Sequence, residues 1–219
     1  MNILTQRLLN VLFPPKCVLC RRILSQQQTH LCPKCRASAP KAQGLKRQVK
    51  YIKDHTTLWH YEDNVRKSIH RYKFGGQRSY VRAYGPLLAM QILQDIPAFD
   101  VLTWVPISAR RRRQRGYDQV ELLAQEVARE LGITALPVLR KIRHNKPQSG
   151  IVGDAQRQAN VLGAYQVTDP QLVSGKRIVL LDDIITTGAT ASEAARVLLT
   201  AGAQEVHFGA VASARRKAK

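Results

Sequence analysis

Two adjacent aspartates, Asp182 and Asp183, close an apolar stretch and lead into the segment Ile-Ile-Thr-Thr-Gly-Ala-Thr. Carboxylates side by side repel each other and gain nothing from packing, so the pair indicates a ligand that donates hydrogen bonds. The following loop adds threonine hydroxyls, and a helix starting near Thr190 would present free amides to an anion. A sugar phosphate satisfies both halves, since its hydroxyls reach the carboxylates and its phosphate reaches the loop. Mg²⁺ would relieve the remaining repulsion.

A second group that could carry chemistry is a set of four cysteines. They form two C-x2-C pairs separated by eleven residues: Cys17, Cys20, Cys32 and Cys35. Each C-x2-C turn points two thiolates at one ion, and four thiolates suit tetrahedral Zn²⁺. A fully protein-filled site predicts a structural zinc. The alternatives are two disulfides or four unrelated thiols, and disulfides require an oxidising compartment.

The formal net charge is +20, with 35 Lys and Arg residues against 15 Asp and Glu residues. Residues 1–53 hold eleven of the basic residues and none of the acidic ones. Such a field attracts polyanions, nucleic acid above all, although a solvated basic surface has the same composition. Some of the N-terminal cations would offset the negative charge of a zinc–thiolate cluster.

No run of about 18 apolar residues occurs, so the sequence predicts no membrane insertion. The first residues are briefly apolar but have no small-residue cleavage site, which argues against a secretory signal and predicts a short helix. The expected localisation is therefore cytoplasmic.

Elsewhere the periodicity alternates between strands and helices, which predicts an α/β fold with a mostly parallel sheet. The predicted strands are 56–61, 99–106, 177–181 and 205–212, and the predicted helices are 62–76, 80–94, 118–132 and 190–202. Capping boxes are predicted at Asp118 and at Thr190, whereas the arginine-rich segment after Pro106 is predicted to be a loop. We expect a helix and zinc ribbon over 1–40, a basic linker over 41–55, the α/β domain over 56–214 and a basic tail over 215–219.

Ligands of such sheets bind beyond the carboxyl ends of the strands, where this pattern places the aspartates. The stretch resembles the phosphoribosyl-pyrophosphate (PRPP) signature of type I phosphoribosyltransferases. The resemblance implies that fold, with the paired acids on the ribose hydroxyls and the loop on the 5′-phosphate. The residues it implicates are Asp182, Asp183, Thr186, Thr187, Gly188, Ala189 and Thr190.

Two further segments resemble parts of the same fold. The strand and loop near Pro106 are similar to the family's pyrophosphate loop, which implicates Ser108, Ala109 and Arg110. Residues 146–167 resemble the flap that covers the site, with Gln148, Arg157 and Asn160 as contacts. The remaining arginines of the run are equally consistent with a solvated face or with nucleic-acid binding, and the nucleic-acid candidates are Arg111, Arg112, Arg113, Arg115, Lys46 and Arg47.

Taken together, the cysteine module, "YKFGG", "RRRRQRGYDQ", "RQANVLGAY" and "DDIITTGAT" resemble the ComF family across essentially the whole chain. Tyr117-Asp118 departs from the Phe-Asn usual in that family. The resemblance implies a competence protein that handles single-stranded DNA during natural transformation, with an uptake helicase and a recombination mediator as partners.

The alternative is an active Mg²⁺-dependent phosphoribosyltransferase that acts on a small nitrogenous acceptor. Purine-specific relatives carry an aspartate where this chain has Thr186, which argues against a hypoxanthine-type salvage enzyme. Orotate-type relatives carry threonine there, so the sequence leaves open whether the chain is an enzyme.

Overall fold

A computed structural model describes residues 14–25, 27–42, 48–145 and 153–215 of the chain. The strands of the described part are β1 (His55–His60), β2 (Val101–Trp104), β3 (Leu139–Lys141), β4 (Tyr165–Val167), β5 (Arg177–Ile185) and β6 (Glu205–Ser213). Its α-helices are α1 (Pro33–Ser38), α2 (Asp63–Phe74), α3 (Val81–Asp95), α4 (Ala109–Arg115), α5 (Gln119–Leu131), α6 (Asp154–Val161) and α7 (Ala189–Thr200). Short 3₁₀ turns occupy Arg78–Tyr80 and Pro170–Leu172.

The main sheet has the order β1-β6-β5-β2, and all of its neighbouring strands run parallel. Strands β3 and β4 form a separate antiparallel pair. Successive residues of β5 enter opposite cores, with Ile178 and Leu180 on the α7 side and Val179 and Leu181 on the other side. The sheet is therefore buried on both faces, as the continuous apolar runs predict.

Strand β5 is longer than predicted and contains the acidic pair. Strand β2 stops pairing with β5 after Trp104 and Leu181, and one further bond joins the amide of Val105 to the carbonyl of Leu181. Strand β6 continues alongside β5 as far as Ile185. Asp182 and Asp183 thus lie where the shorter neighbour has ended, at the carboxyl edge of the sheet.

The segment after Pro106 is a helix, and the prediction of a loop there is wrong. The hydroxyl of Ser108 accepts a bond from the amide of Arg111 at the start of α4, and Gly116 ends the helix in the left-handed region. The prediction missed it because the arginine run has no apolar periodicity. These two end signals define the helix instead.

Helices α5 and α7 begin differently. Asp118 caps α5 as predicted, accepting bonds from the amides of Val120 and Glu121. The capping box predicted at Thr190 is wrong, because α7 follows Gly188 and its N-cap makes no side-chain hydrogen bond. The N-cap residue therefore satisfies none of the first amides of α7 through a side chain.

The cysteine-rich segment shares a core with the sheet. Its apolar residues Val18, Leu19, Leu24 and Leu31 belong to the same buried cluster as residues of α2, α3 and α5. Removing that area from water stabilises the ribbon and the helices together.

Candidate functional site

The acidic pair is held by groups from two helices. Asp183 is 3% exposed, and its Oδ1 lies 2.7 Å from Nζ of Lys73, near the end of α2. Its Oδ2 accepts a 2.8 Å hydrogen bond from Nε2 of Gln119, the first residue of α5. The carboxylate is therefore compensated by a cation and an amide before any ligand arrives.

Asp182 has a different environment. Its Oδ1 accepts a 2.7 Å bond from the amide of Asp183. Burial raises the pKa of Asp182 well above its usual range, and the charge of Asp183 raises that pKa further, while Lys73 opposes both effects. Two adjacent carboxyls in distinct environments can each bind one of two neighbouring hydroxyls.

The loop after β5 surrounds a small cavity of about 20 Å³, whose wall includes Thr187, Gly188 and Ala189. Gly188 has φ 85°, in the left-handed region that glycine reaches without strain. The hydroxyl of Thr187 accepts a 3.3 Å bond from the amide of Ala189. Because α7 has no side-chain cap, the loop and the first turn of the helix form a place where an anion can be bound by amides.

A larger cavity of about 850 Å³ opens from the acidic pair and reaches Thr186 and Thr190. Its wall also carries cations from four elements: Lys73, Arg111, Arg115, Lys141 and Arg157. Arg111 and Arg115 are four residues apart and so share one face of α4. The cavity therefore combines carboxylates with cations, as a ligand with both hydroxyls and phosphates requires.

Lys141 lies in the cavity wall on β3 and is half-buried. Burial lowers the pKa of its ammonium group to about 8, with a further contribution from Arg111, whereas Asp182 acts in the opposite direction. Its Nζ donates a 3.1 Å hydrogen bond to the hydroxyl of Tyr165 on β4. An anion bound beside this lysine raises its pKa and so favours its charged form.

Ser108 and Asn145 join this wall to the segment after β3. Ser108 is buried, and its hydroxyl is 2.8 Å from Nδ1 of His144. Asn145 donates a 2.8 Å bond to the carbonyl of Asn160, while its buried Oδ1 has no hydrogen-bond partner among the described residues. Asn145 also lines the cavity, so this unpaired acceptor lies next to the candidate ligand site.

The structure divides the predicted arginines between two surfaces. Arg111 and Arg115 line the cavity, whereas Arg110, Arg112 and Arg113 are exposed on the outer side of α4. Arg112 forms a 3.1 Å ion pair with Glu121. The first α4 residue, Ala109, is also exposed.

Of the predicted flap contacts, Arg157 lines the cavity, and the backbone carbonyl of Asn160 binds Asn145. Gln148, Lys46 and Arg47 lie outside the described residues. Sequence reasoning missed several cavity residues, among them Lys73, Gln119, Lys141 and Tyr165. Lys73 lies in "YKFGG" and Gln119 in "YDQ". The helical periodicity of those two segments was the sequence signal that could have pointed to them.

The four cysteines form one cluster, with all of their sulfur atoms within 4.8 Å of one another. The Sγ atoms of Cys20 and Cys32 are 3.6 Å apart, close to the roughly 3.8 Å edge of a ZnS₄ tetrahedron with 2.3 Å bonds. The amide of Cys35 also donates to Sγ of Cys32. The donor set and its spacing fit one structural zinc ion held by Cys17, Cys20, Cys32 and Cys35.

The cysteine cluster is joined to the cavity through α2. The guanidinium of Arg71 donates 2.7 and 3.3 Å bonds to the carbonyls of Leu19 and Val18, which lie between two of the cysteines. Ser68 donates a second bond to the carbonyl of Val18. The same helix carries Lys73 to the acidic pair, so the ribbon and the cavity share a structural support.

Within the described residues, no helix has the length and apolar character needed to cross a membrane.

The unusual pair Tyr117-Asp118 has a clear structural role. The hydroxyl of Tyr117 donates to the carbonyl of Tyr72, and Asp118 also accepts a 2.9 Å bond from the amide of Ile107. An asparagine at position 118 would offer one oxygen where aspartate offers two.

The parallel sheet, the acidic pair and the cysteine cluster define a protein of the type I phosphoribosyltransferase fold with an N-terminal zinc ribbon. Residues 121–219 match the phosphoribosyl transferase domain, and residues 8–45 match the double zinc ribbon domain. The resemblance to the ComF family is confirmed by similarity to competence and DNA utilization proteins over about nine-tenths of the chain.

Three relatives illustrate this similarity. Competence protein F of Haemophilus influenzae is 26% identical, with 91% of this chain and 97% of that protein aligned. DNA utilization protein YhgH of Escherichia coli K12 is 28% identical over 87% of this chain and 86% of its own. Competence protein ComFC of Bacillus subtilis is 27% identical over 90% and 84%.

Among solved structures, the glutamine PRPP amidotransferase of B. subtilis, complexed with ADP and GMP, aligns with a TM-score of 0.44 and 25% identity. That alignment covers 64% of this chain and 30% of the amidotransferase.

Proposed function

We propose that this protein handles single-stranded DNA during DNA uptake and uses its cavity to bind a phosphoribosyl ligand such as PRPP. The observation that carries the proposal is the division of α4. Arg111 and Arg115 enter the cavity that contains Asp182 and Asp183, whereas the neighbouring arginines face solvent. One helix thus contributes cations to a small anionic ligand and to a polyanion outside.

For the ligand in the cavity, we assign the ribose hydroxyls to Asp182 and Asp183. The 5′-phosphate binds the loop Thr186–Thr190, and the pyrophosphate lies toward Arg111 and Lys141. Mg²⁺ accompanies PRPP and reduces repulsion between its phosphates and the carboxylates.

For the strand, we assign the phosphates to the outer side of α4 and to the basic linker that contains Lys46 and Arg47. Because only phosphates are contacted there, this binding is independent of sequence. By family resemblance, the protein acts in the cytoplasm beside an uptake helicase and a recombination mediator.

Strand binding is tested by the fluorescence anisotropy of a labelled oligo(dT) between 50 and 200 mM salt. We expect the logarithm of the affinity to fall linearly with the logarithm of the salt concentration, with a slope of about −0.7 per phosphate contacted. Arg113→Glu should weaken binding and reduce the slope. Lys176→Glu makes the same charge change at the opposite edge of the sheet and should have a smaller effect. An affinity insensitive to salt would contradict the proposal.

Ligand binding is tested by calorimetry of PRPP with Mg²⁺. Wild type should bind PRPP, and Asp183→Asn should bind it at least about tenfold more weakly because a charge-assisted hydrogen bond is lost. Repeating the titration with oligo(dT) present shows whether the two polyanions compete. Equal affinity of both proteins for PRPP would show that the acidic pair does not contribute to PRPP binding.

A second candidate function is Mg²⁺-dependent phosphoribosyl transfer to a small nitrogenous acceptor. The observation that favours it is that Arg111 and Lys141 line the same cavity as the acids and would stabilise departing pyrophosphate. Such chemistry depends on positioning and needs no dedicated general base. A pyrophosphate-release assay with a panel of acceptors tests it, with Asp182→Asn expected to abolish release and Glu130→Gln, an exposed control, to retain it. No release with any acceptor would refute this candidate.

A further inference from the structure

Phe74, the last residue of α2, has an exposed aromatic ring. Its relative exposure is 61%, although an aromatic side chain normally buries most of its area in a core. The ring lines the mouth of the 850 Å³ cavity. It therefore combines apolar exposure with a position beside the candidate ligand site.

The ring has a cation above it. The guanidinium carbon of Arg115 lies 4.7 Å from the ring centroid of Phe74. His70 approaches the same ring with its centroid 4.8 Å away and its plane tilted by 49°. A phenyl ring bordered by a guanidinium and an imidazole offers flat π surfaces, which suit another planar ring.

This aromatic group is joined to the acidic pair by hydrogen bonds. Nη1 of Arg115 donates a 2.7 Å bond to Oε1 of Gln119, whose Nε2 donates a 2.8 Å bond to Asp183. The guanidinium is thus held in place from the cavity side. A ligand at the acids and a ring over Phe74 would be neighbours.

The two residues that follow Phe74 are exposed. Gly76, which also lines the cavity, has φ 65°, and a Cβ added there would meet no atom within 4 Å. Gly75, before it, ends α2 with a bond from its amide to the carbonyl of Arg71. The chain thus leaves the ring and passes beside it without covering it.

We propose that Phe74 and Arg115 form a stacking site for one nucleobase of a single-stranded DNA. This inference rests on the proposed strand-handling function and extends it from phosphates to bases. A nucleobase fits because its face stacks on phenyl and guanidinium planes alike, whereas an aliphatic group would leave the cation without a role. Stacking reads no base edge, so the site accepts any base.

The test compares oligo(dT) with an abasic phosphodiester oligomer of the same length and charge. Wild type should bind oligo(dT) about tenfold more tightly, since one stacked base contributes about that much. Phe74→Ala should lower the affinity for oligo(dT) to the abasic level and leave the abasic affinity unchanged. Phe74→Tyr should retain the preference.

Leu93→Ala is the matched control, because Leu93 is an apolar residue of α3 that is 68% exposed and does not line the cavity. We expect it to behave as wild type with both oligomers. Equal wild-type affinities for the two oligomers would overturn the stacking site while leaving strand binding intact. A loss of both affinities in Phe74→Ala would also overturn it. Failure of wild type to bind either oligomer would contradict the proposed function itself.

Discussion

The ammonium group of Lys73 lies 2.7 Å from Oδ1 of Asp183, and both side chains are largely withdrawn from solvent. The two residues come from distant parts of the chain, one from the end of α2 and one from β5. The site therefore contains its own counterion, and α2 is fixed to the carboxyl edge of the sheet by this contact.

Replacing Lys73 by methionine should destabilise the protein by about 2–4 kcal/mol, because a buried carboxylate would lose its cation. The double variant Lys73→Met/Asp183→Asn should recover most of that loss. Urea denaturation of wild type, Lys73→Met, Asp183→Asn and the double variant gives the coupling energy between the two side chains. Lys53→Met breaks an ion pair with Glu205 in which the lysine side chain is 58% exposed, and it should cost much less because water screens the pair. Equal losses at the two lysines would contradict this account.

Binding of a diphosphate at Lys141 should weaken as the pH rises. The pKa of this lysine is about 8 in the folded protein, so it is charged at pH 7 and largely neutral at pH 9.5. Above pH 8 an anion must draw a proton onto Lys141 to gain the same contact, which lowers its affinity. Calorimetry of inorganic diphosphate with wild type and Lys141→Met isolates this effect. The ratio of their affinities should fall from about tenfold at pH 7 towards one at pH 9.5. A ratio constant with pH would refute the prediction.

Removing zinc with a chelator should loosen α2. The carbonyls of Val18 and Leu19 bind Arg71, so a relaxed cysteine cluster no longer holds that helix. Hydrogen exchange should accelerate at the amides of α2, while the antiparallel pair β3–β4 serves as the internal reference. Arg71→Met should reproduce part of the acceleration with zinc bound. Unchanged exchange in α2 after zinc loss would show that the ribbon does not support it.

Alanine at Gly188 should destabilise the loop after β5 for two reasons. Its φ of 85° disfavours a Cβ by about 1–2 kcal/mol, and that Cβ would lie 3.0 Å from Cγ1 of Val49. Gly132→Ala is the control, since its φ is 68° and its Cβ would meet nothing. Denaturation should show a larger loss at Gly188, and adding Val49→Ala should remove the excess. Equal losses at both glycines would exclude the contact with Val49.

The sequence predicts the parts of the site whose residues are consecutive. Asp182 and Asp183 with the following loop, and the cysteines in their paired spacing, carry their chemistry within a few residues. Strand-to-helix alternation likewise predicts the parallel sheet, because its apolar runs are continuous.

The parts that long-range packing decides could not be predicted. The contact of Lys73 with Asp183 depends on how α2 docks, and no local pattern encodes it. Lys141 lies on a three-residue strand, too short for alternation to be recognised. Helix α4 is polar all round, so its end signals at Ser108 and Gly116 were outweighed by the arginine composition.

Val49 shows how the linker participates in the fold. It is buried in the same cluster as Ile185 and Ala191, next to the loop around Gly188. Cutting the chain just before β1 would therefore expose apolar surface beneath the anion-binding loop. A cut intended to separate the ribbon from the α/β domain should therefore lie before residue 48. The ribbon matches a domain model of its own, but Val49 packs with the sheet.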